Sequence, residues 1–483
     1  DHRDLHSFPT RRSSDLRVIG GGRTPCACYK VYRVRYNGGK HVGPASSGLR
    51  RSTRHVRAGL FAALAVSWAA ALPAAEPRPL DARRLTAAGL RVLEGRHVRI
   101  VTDLPPSPGV DELPAAFDAA VPQWEAHFGL RLTPRDARWL GFVIDDRAAF
   151  AALGLLPAER PQFISGYANG WEFWLVDQPS DYYRRHLMLH EGTHAFMQTQ
   201  LGGAGAPWYM EGMAELLGTH QWRDGQIELG VIPADRDAAP MWGRIKLVRD
   251  SAAAGRPWPL ERVLAVDNSR AMDVEEYAWT WALATLLDGH PQFRARFRAL
   301  QGAVTDPAFT QRFRAALADD WGDLAAEWTS LAATLDYGYN VAAMAMVHAD
   351  SAPVESASRR STIRADRGWQ SAGWILRAGG TYRISASGRY TLVRDGEEWP
   401  CEPGGVTIDY HEGRPVGALL GALRPIGAAA EADASFARPM LVGLRETISP
   451  QRDAVLYLRV NDSAANVGKN VGKIDVRVSA APR

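Results

Sequence analysis

The five residues from His190 to His194, which read His-Glu-Gly-Thr-His, have the types and the spacing that metal chemistry needs. On a helix, His190 and His194 are one turn apart and lie on the same face. Two imidazoles placed in this way can share one zinc ion. Glu191 follows the first imidazole, where its carboxylate can act as general base on a water molecule at the metal. The motif therefore predicts Zn²⁺ as a cofactor, although five-residue matches also occur by chance.

A second acidic segment lies downstream at a distance that suits the same metal. Sixteen residues separate His194 from Glu211, which lies in the segment Trp-Tyr-Met-Glu-Gly-Met-Ala-Glu at 208–215. Two helices joined by a loop can return Glu211 to the metal as a third ligand, which leaves the fourth position to water. Glu215 is one turn further along the same face. It can accept a hydrogen bond from a ligating histidine and so orient it.

Together, the two segments resemble the gluzincin metallopeptidases, which include thermolysin and aminopeptidase N. They are more similar to the peptidase-MA-like bacterial families, in which Trp-x-x-Glu-Gly-x-Ala-Glu follows His-Glu-x-x-His. The resemblance covers about 90–336 and is sharp only over 190–215. The spacing between the ligands is slightly shorter here than in the two named enzymes. This difference affects the expected geometry of the loop more than the identity of the ligands.

This resemblance implies a set of roles and a mode of substrate binding. His190, His194 and Glu211 are the implied zinc ligands, Glu191 is the implied base, and Glu215 is the implied partner of a ligating histidine. The hairpin before the active-site helix is implied to bind the substrate backbone by strand addition.

An oxyanion-stabilising group is also expected, because attack on a peptide carbonyl places negative charge on its oxygen. Tyr277 is the candidate, since gluzincin aminopeptidases are similar in placing a tyrosine on a later helix. The alternative is a core tyrosine on an aromatic stripe with Trp281. Tyr209 and His220 are weaker candidates for the same role.

Two neighbouring segments are interpreted more simply. His186 lies one turn before His190 and is expected to be a surface histidine or a partner of the metal site. The segment 242–244, Trp-Gly-Arg, can contact substrate but is interpreted as an ordinary loop.

The start of the chain differs from the rest in charge. Residues 1–75 hold 13 Lys and Arg against 3 Asp and Glu, so the remainder carries 44 basic and 50 acidic side chains. The basic balance of the whole chain therefore comes from its start. Nothing after it predicts a nucleic-acid partner.

Residues 51–75 have the pattern of a secretory signal peptide. Basic residues precede the apolar run 58–72, and Pro-Ala-Ala follows it at 73–75. The run is shorter than a membrane span needs, so no transmembrane segment is expected after signal removal. The alternative for this run is a buried alanine-rich helix. Residues 1–50 start without Met and open with a stretch that resembles a translated sequencing adapter. They are predicted to be an artefact or an untranslated leader, and the protein is predicted to be exported, periplasmic or extracellular.

The rest of the chain predicts an α+β fold. Residues 81–336 are predicted to form the zinc domain, with a small mixed sheet and a helical half. Residues 337–364 are predicted to be a linker, and 365–483 a β-sandwich. Strands are predicted at 97–101, 139–144, 163–166 and 171–176, and helices at 112–128, 182–200 (capped by Asp181), 208–220, 275–288 and 291–300. Five further strands are predicted at 374–376, 382–385, 406–408, 456–460 and 474–478.

The C-terminal segment resembles the bacterial soluble galactophilic lectin, a jelly-roll with a calcium-bridged sugar. The resemblance rests on Trp369 and Trp374, on the turn at 378–381, and on an oxygen-rich loop with Asp462, Asn466 and Asn470. These three residues are candidate ligands for Ca²⁺ or sugar, because calcium takes hard oxygen ligands. Lys469, however, stands where the lectin pattern has an asparagine. An ammonium group repels a cation, which argues against calcium. Without calcium, the segment is interpreted as a sandwich that packs on the zinc domain or binds some surface.

Two function classes follow from these patterns. The first is an exported zinc-dependent peptidase acting on peptides or proteins, with a C-terminal domain that can bring a carbohydrate partner. The alternative is a secreted carbohydrate- or surface-binding protein whose zinc site is structural or inactive. A structural zinc usually has four protein ligands, so the ligand count separates the two.

Overall fold

The computed structural model describes residues 76–132, 138–267, 269–354, 358–427 and 434–481. All of them belong to one compact unit, 68–483. The predicted α+β class is confirmed, with a mixed sheet and helices first and antiparallel sheets after them. The predicted leader, 1–50, and the predicted signal peptide, 51–75, lie outside the described residues.

The described part of the first half builds a mixed sheet under a group of helices. The sheet has the order β1-β2-β3-β5-β4, with β2, β3 and β5 parallel and the outer pairs antiparallel. Its strands are β1 Arg91–Glu94, β2 Val98–Thr102, β3 Trp139–Ile144, β4 Gly166–Asn169 and β5 Glu172–Val176. Every residue of β3 is buried, because apolar clusters cover both faces of this central strand.

The helices that follow carry most of the apolar core. The described α-helices are α1 Ala82–Ala87, α2 Pro108–Asp111, α3 Leu113–His127, α4 Arg147–Ala152, α5 Asp181–Phe196, α6 Pro207–Gly218, α7 Arg244–Ala253, α8 Leu260–Leu264, α9 Val274–Gly289, α10 Arg294–Ala299, α11 Phe309–Ala316, α12 Trp321–Thr334 and α13 Val341–Met344. Helix α9 is buried along nearly all its length and packs against α6 and α7. It begins with a capping box in which Asp273 and Glu276 satisfy each other's backbone N–H groups.

The chain from Ala352 onward forms two sheets packed face to face, and their strands pair antiparallel except for the short parallel pair of β8 and β10. One has the order β17-β16-β19-β10-β8, and the other β13-β12-β20-β11-β18 with β9 also paired to β20. The strands are β8 Ala352–Pro353, β9 Arg359–Arg364, β10 Gln370–Leu376, β11 Tyr382–Ser387, β12 Tyr390–Arg394, β13 Glu397–Cys401, β14 Val406–His411, β15 Arg414–Val416, β16 Leu419–Pro425, β17 Met440–Leu441, β18 Arg445–Ile448, β19 Ala454–Val460 and β20 Val471–Ala480. All five strand segments predicted for this half lie inside these strands.

The side chains of β19 show how the sandwich is held. Leu456, Leu458 and Val460 point into the core between the two sheets. On the opposite face, Tyr457 lies in a second apolar cluster that includes Ala326 of α12. The outer face of this sheet is therefore covered by the helical half and not by water.

A polar seam runs beside that contact. Arg424 of β16 donates to Asp323 of α12 at 2.6 Å, and Tyr457 lies 2.8 Å from Nδ1 of His348. The first contact ties the sandwich to α12, and the second ties it to the segment that follows α13.

Several local predictions differ from the structure. The first hairpin strand is Gly166–Asn169 and not 163–166, because the turn at Gly170 fixes its register with β5. Ser180, not Asp181, caps α5 by accepting from the Tyr183 N–H. The predicted helix 182–200 is α-helical only to Phe196, after which Met197–Leu201 forms a π-helical turn that ends at Gly202.

Two stretches contain structure that the sequence did not indicate. A hairpin of β6 His220–Arg223 and β7 Gln226–Leu229 interrupts the predicted helical half. The predicted linker 337–364 contains α13, β8 and β9, and β9 pairs along β20 as a full member of the sandwich. Among the described helices, none combines the length and the apolar character that a membrane crossing requires.

Gly212 offers a test of how tightly α6 and α9 pack. A Cβ at this position would lie 2.8 Å from the backbone oxygen of Thr280 on α9. We expect Gly212→Ala to lower the free energy of unfolding by about 1–3 kcal/mol, because the clash with backbone outweighs alanine's better helix propensity. Chemical denaturation of the two proteins measures the difference.

Gly302 provides the matched control. Nothing lies within 4 Å of a Cβ placed there, so Gly302→Ala is expected to be neutral or slightly stabilising. Equal stability of the two alanine variants would contradict the close packing of α6 on α9.

Candidate metal centre

Helices α5 and α6 bring the predicted metal ligands together. His190 and His194 lie one turn apart on α5, and both are buried. Helix α6 starts at Pro207, after the π-helical turn and a short loop, and places the buried Glu211 in its first half. The route between the two helices is therefore the short loop that the sequence indicated.

The ligand atoms of these three residues form a small triangle. Nε2 of His190 and Nε2 of His194 are 3.1 Å apart, and each lies 3.3 Å from Oε2 of Glu211. Atoms that bind one tetrahedral zinc at about 2.0–2.1 Å are about 3.3–3.4 Å from each other. Two imidazoles and one carboxylate are also a donor set that zinc prefers. The residues present therefore fit a zinc ion.

Glu191 lies beside this triangle and is nearly excluded from water, with 5% of its surface exposed. Burial raises the pKa of its carboxyl, which His190 and His194 partly offset. Its carboxylate reaches the edge strand of the sheet, since a Cβ at Gly166 of β4 would lie 2.1 Å from its Oε1. A side chain at Gly166 would therefore displace the carboxylate from this position.

Glu215 is held from several sides. It is 2% exposed, and Arg244 of α7 donates to both of its oxygens, at 2.9 Å and 3.0 Å. Oε1 lies 3.4 Å from Nδ1 of His190, the histidine that Glu215 was predicted to orient. Oε2 lies 3.4 Å from Nε2 of His186. Burial opposes ionisation of Glu215, but Arg244 and the two histidines together hold its pKa well below the usual value.

The sequence predicted only minor roles for two of these neighbours, Arg244 and His186. Arg244 was interpreted as part of an ordinary loop, yet it is buried and forms the shortest contacts with Glu215. His186 is 1% exposed, so it is a partner of the site and not a surface residue. The spacing from His186 to His190, one helical turn, was the one available signal for His186. Nothing in the sequence linked Arg244 to Glu215.

Tyr277 lies at the same site, on the first turns of α9. The centroid of its ring is 5.9 Å from the centroid of the His190 ring. The guanidinium carbon of Arg244 is 5.6 Å from the centroid of the Tyr277 ring. Burial raises the pKa of its phenol well above the usual value, and Glu211 and Glu191 add to the effect. The phenol therefore keeps its proton.

The two weaker candidates for this role have structural partners. Tyr209 packs in an aromatic cluster with Phe297 and Phe309. His220 stacks on Tyr182 at 4.6 Å and accepts from Nε of Arg185. Burial lowers the pKa of His220 to about 3, so it stays neutral.

The predicted calcium or sugar loop is occupied by the protein's own cation. Oδ1 of Asp462 lies 2.9 Å from the guanidinium of Arg394, and its Oδ2 accepts from Asn470 at 2.8 Å. The carboxylate of Asp462 is fully buried. Asn466 does not join them and accepts instead from the ammonium of Lys469 at 3.0 Å. Arg394 therefore supplies a positive charge at the place where a calcium ion was considered.

Comparisons with known proteins give only remote likenesses. No protein-family model and no curated protein matches the chain. The N-terminal domain of EclA, a PllA-like lectin, has 20% identity and a TM-score of 0.20, over 25% of this chain and 95% of that one. PliG of Aeromonas hydrophila, a periplasmic inhibitor of g-type lysozyme, has 12% identity and a TM-score of 0.16, over 27% and 96%. The IMPa metallopeptidase from Pseudomonas aeruginosa has 11% identity and a TM-score of 0.16, over 60% and 28%. At these TM-scores, function must be inferred from the site residues.

Arg394 gives a test of the internal cation. We expect Arg394→Met to cost about 3–5 kcal/mol of stability, because it leaves the buried carboxylate of Asp462 without its charged partner. Millimolar Ca²⁺ is expected to leave the melting temperature of the wild-type protein unchanged. Differential scanning calorimetry with and without the ion measures both effects.

Arg389→Met is the control for this substitution. Arg389 pairs with Glu402 on the surface, where the two side chains are 84% and 55% exposed. Its loss should cost less than about 1 kcal/mol. A calcium-dependent rise in the wild-type melting temperature would show that the loop accepts the ion after all.

Proposed function

We propose that this chain is an exported zinc-dependent peptidase of the gluzincin kind. The observation that carries the proposal is the triangle of ligand atoms from His190, His194 and Glu211, with the buried carboxylate of Glu191 beside it. Export rests on the signal-peptide pattern of 51–75. Residues 81–336 are the proposed catalytic domain, with 337–364 and 365–483 as the connection and the sandwich.

His190, His194 and Glu211 would hold the zinc, which when bound polarises the substrate carbonyl and lowers the pKa of water towards about 7. Among the described residues, no fourth side chain completes this group. The open position is what a catalytic site requires.

Glu191 moves the proton in the proposed reaction. Its carboxylate takes a proton from the attacking water as the oxygen bonds to the carbonyl carbon. It then gives that proton to the amine nitrogen as the C–N bond breaks. The buried setting raises its pKa, which suits a group that must hold a proton for part of the cycle.

Tyr277 is the proposed oxyanion donor. Its phenol stays protonated beside the ligands, so its O–H can donate to the carbonyl oxygen as negative charge develops there.

Strand β4 is the proposed platform for the substrate backbone. It lies at the end of its sheet, and among the described strands it pairs only with β5. Its Gly166 touches the carboxylate of Glu191. A peptide that adds to this edge as a further strand would pass directly over the base.

The competing class is a secreted carbohydrate- or surface-binding protein with a structural or inactive zinc site. A structural zinc would need a fourth protein ligand, and the described residues supply none to the triangle. Within the described ranges, Glu191 also has no hydrogen bond or ion pair that would explain its burial. Both points favour the peptidase.

Glu191→Gln tests the base. We expect turnover to fall by at least about 10²-fold, because an amide cannot carry the proton, while zinc content stays at the wild-type level. Cleavage of a mixed peptide library, read by mass spectrometry, and elemental analysis of the purified protein measure the two quantities.

Glu228→Gln is the control, since Glu228 lies exposed on β7. It should leave both zinc content and cleavage unchanged. Cleavage by Glu191→Gln at the wild-type rate would rule out Glu191 as the base, and a wild-type protein without zinc would rule out the proposed function.

Tyr277→Phe tests the oxyanion donor. Removing one such donor should lower kcat by about 10²-fold, with KM and zinc content nearly unchanged, because the hydrogen bond strengthens only as charge develops. Steady-state kinetics on a peptide identified from the library measures it. Tyr209→Phe, in the aromatic cluster, should keep the wild-type kcat. If kcat falls in Tyr209→Phe and not in Tyr277→Phe, Tyr277 is not the oxyanion donor.

A further inference from the structure

The carboxylate of Glu215 has an unusually symmetric set of neighbours. Oε1 faces a nitrogen of Arg244 at 2.9 Å and Nδ1 of His190 at 3.4 Å. Oε2 faces Nε of Arg244 at 3.0 Å and Nε2 of His186 at 3.4 Å. Each oxygen therefore meets one guanidinium nitrogen and one imidazole nitrogen. All four side chains are less than a tenth exposed.

This arrangement bears directly on which nitrogen of His190 is free. Among the described residues, Nδ1 of His190 has no hydrogen-bond partner, and the nearest acid oxygen is Oε1 of Glu215. A carboxylate at Nδ1 favours the tautomer with its proton there. Nε2, the atom in the ligand triangle, then keeps its lone pair for a metal.

A carboxylate can perform this role only if its plane is fixed. The Glu215 side chain has several rotatable bonds, and neither 3.4 Å contact is short enough to hold it alone. The guanidinium is planar and rigid, and it binds both oxygens at once. Arg244 in turn is held at the start of α7, two residues after Trp242, whose ring packs against His186 and Trp281.

We propose that Arg244 is a positioning residue for the metal centre, acting through Glu215 to turn Nε2 of His190 toward the metal. The proposal rests on the zinc site of the proposed function. It deepens that function, because it adds a residue from a third helix, 33 positions after Glu211 in sequence, to the machinery that sets metal affinity.

The same geometry excludes a second metal ion nearby. His186, His190 and Glu215 lie close enough to form another ligand group. Both oxygens of Glu215, however, are taken by the guanidinium, which also supplies the positive charge. The carboxylate therefore serves one ion, the neighbouring zinc, from a distance.

Zinc affinity of the metal-free protein tests the proposal, measured by competition with a chromophoric chelator. We expect Arg244→Gln to weaken zinc binding by about 10- to 100-fold, the usual effect of losing a partner of a ligating histidine. Arg244→Lys keeps the charge but loses the two-point contact, so it should weaken binding by a smaller factor. Arg249→Gln, on the same helix but paired with Asp336 at the surface, should keep the wild-type Kd.

The Glu215→Gln background separates positioning from a general structural effect. If Arg244 acts through Glu215, adding Arg244→Gln to Glu215→Gln should change the zinc Kd little further. The proposal is overturned if Arg244→Gln weakens zinc binding as much in the Glu215→Gln background as it does in the wild-type protein. It is also overturned if folded Arg244→Gln has the wild-type Kd. If Arg244→Gln does not fold, a wild-type Kd in Arg244→Lys overturns it.

Failure of this inference can be told apart from failure of the proposed function. If the wild-type protein binds zinc but the Arg244 variants bind it equally well, only the inference fails. If zinc binds and depends on Arg244 but no peptide is cleaved, the inference stands without the peptidase. If the wild-type protein binds no zinc, both the role of Arg244 and the proposed function are wrong.

Discussion

The candidate metal centre depends on keeping ionisable groups in a region nearly free of water. Glu191, Glu211 and Glu215 are buried together with three imidazoles and the guanidinium of Arg244. Each isolated charge in such a place costs several kcal/mol, so it persists only with a partner in good geometry. Arg244 balances Glu215, and the histidines balance Glu211. The packing of α5, α6, α7 and α9 is therefore constrained by charge as much as by apolar contact.

How far the sequence predicts this molecule depends on the range of each interaction. His190 and His194 are brought together by helical periodicity alone, and Glu211 needs only a short loop in addition. The five sandwich strands follow from alternation and turn residues. In contrast, Arg244 reaches Glu215 from a separate helix 29 residues away, and no local pattern encodes that pairing. The roles of the site residues as ligands, base and oxyanion donor stay predictions.

Some strands form because of contacts with segments that are distant in sequence, and no local sequence pattern shows such contacts. From the sequence, β9 was interpreted as part of a linker, because all its residues except Ile363 are Arg, Ser or Thr. It is a strand because β20 pairs with it, and only Ile363 reaches the core. The hairpin of β6 and β7 was missed for a related reason. Gln123 of α3 hydrogen-bonds to the backbone of Ile227 and Leu229 in this hairpin. Trp222 of the hairpin donates to Glu112, the residue before α3.

The sandwich uses its two sheets differently. One carries β19, whose Tyr457 lies under the helical half, while the other sheet faces away from that contact. Because a cluster of aromatic and apolar side chains joins the first sheet to α12, the sandwich has no freedom to swing as an appended module would. Anything that bound the second sheet would hold the candidate metal site at one fixed distance and angle from the attachment point. The fold would then determine which bonds of an anchored target come within reach.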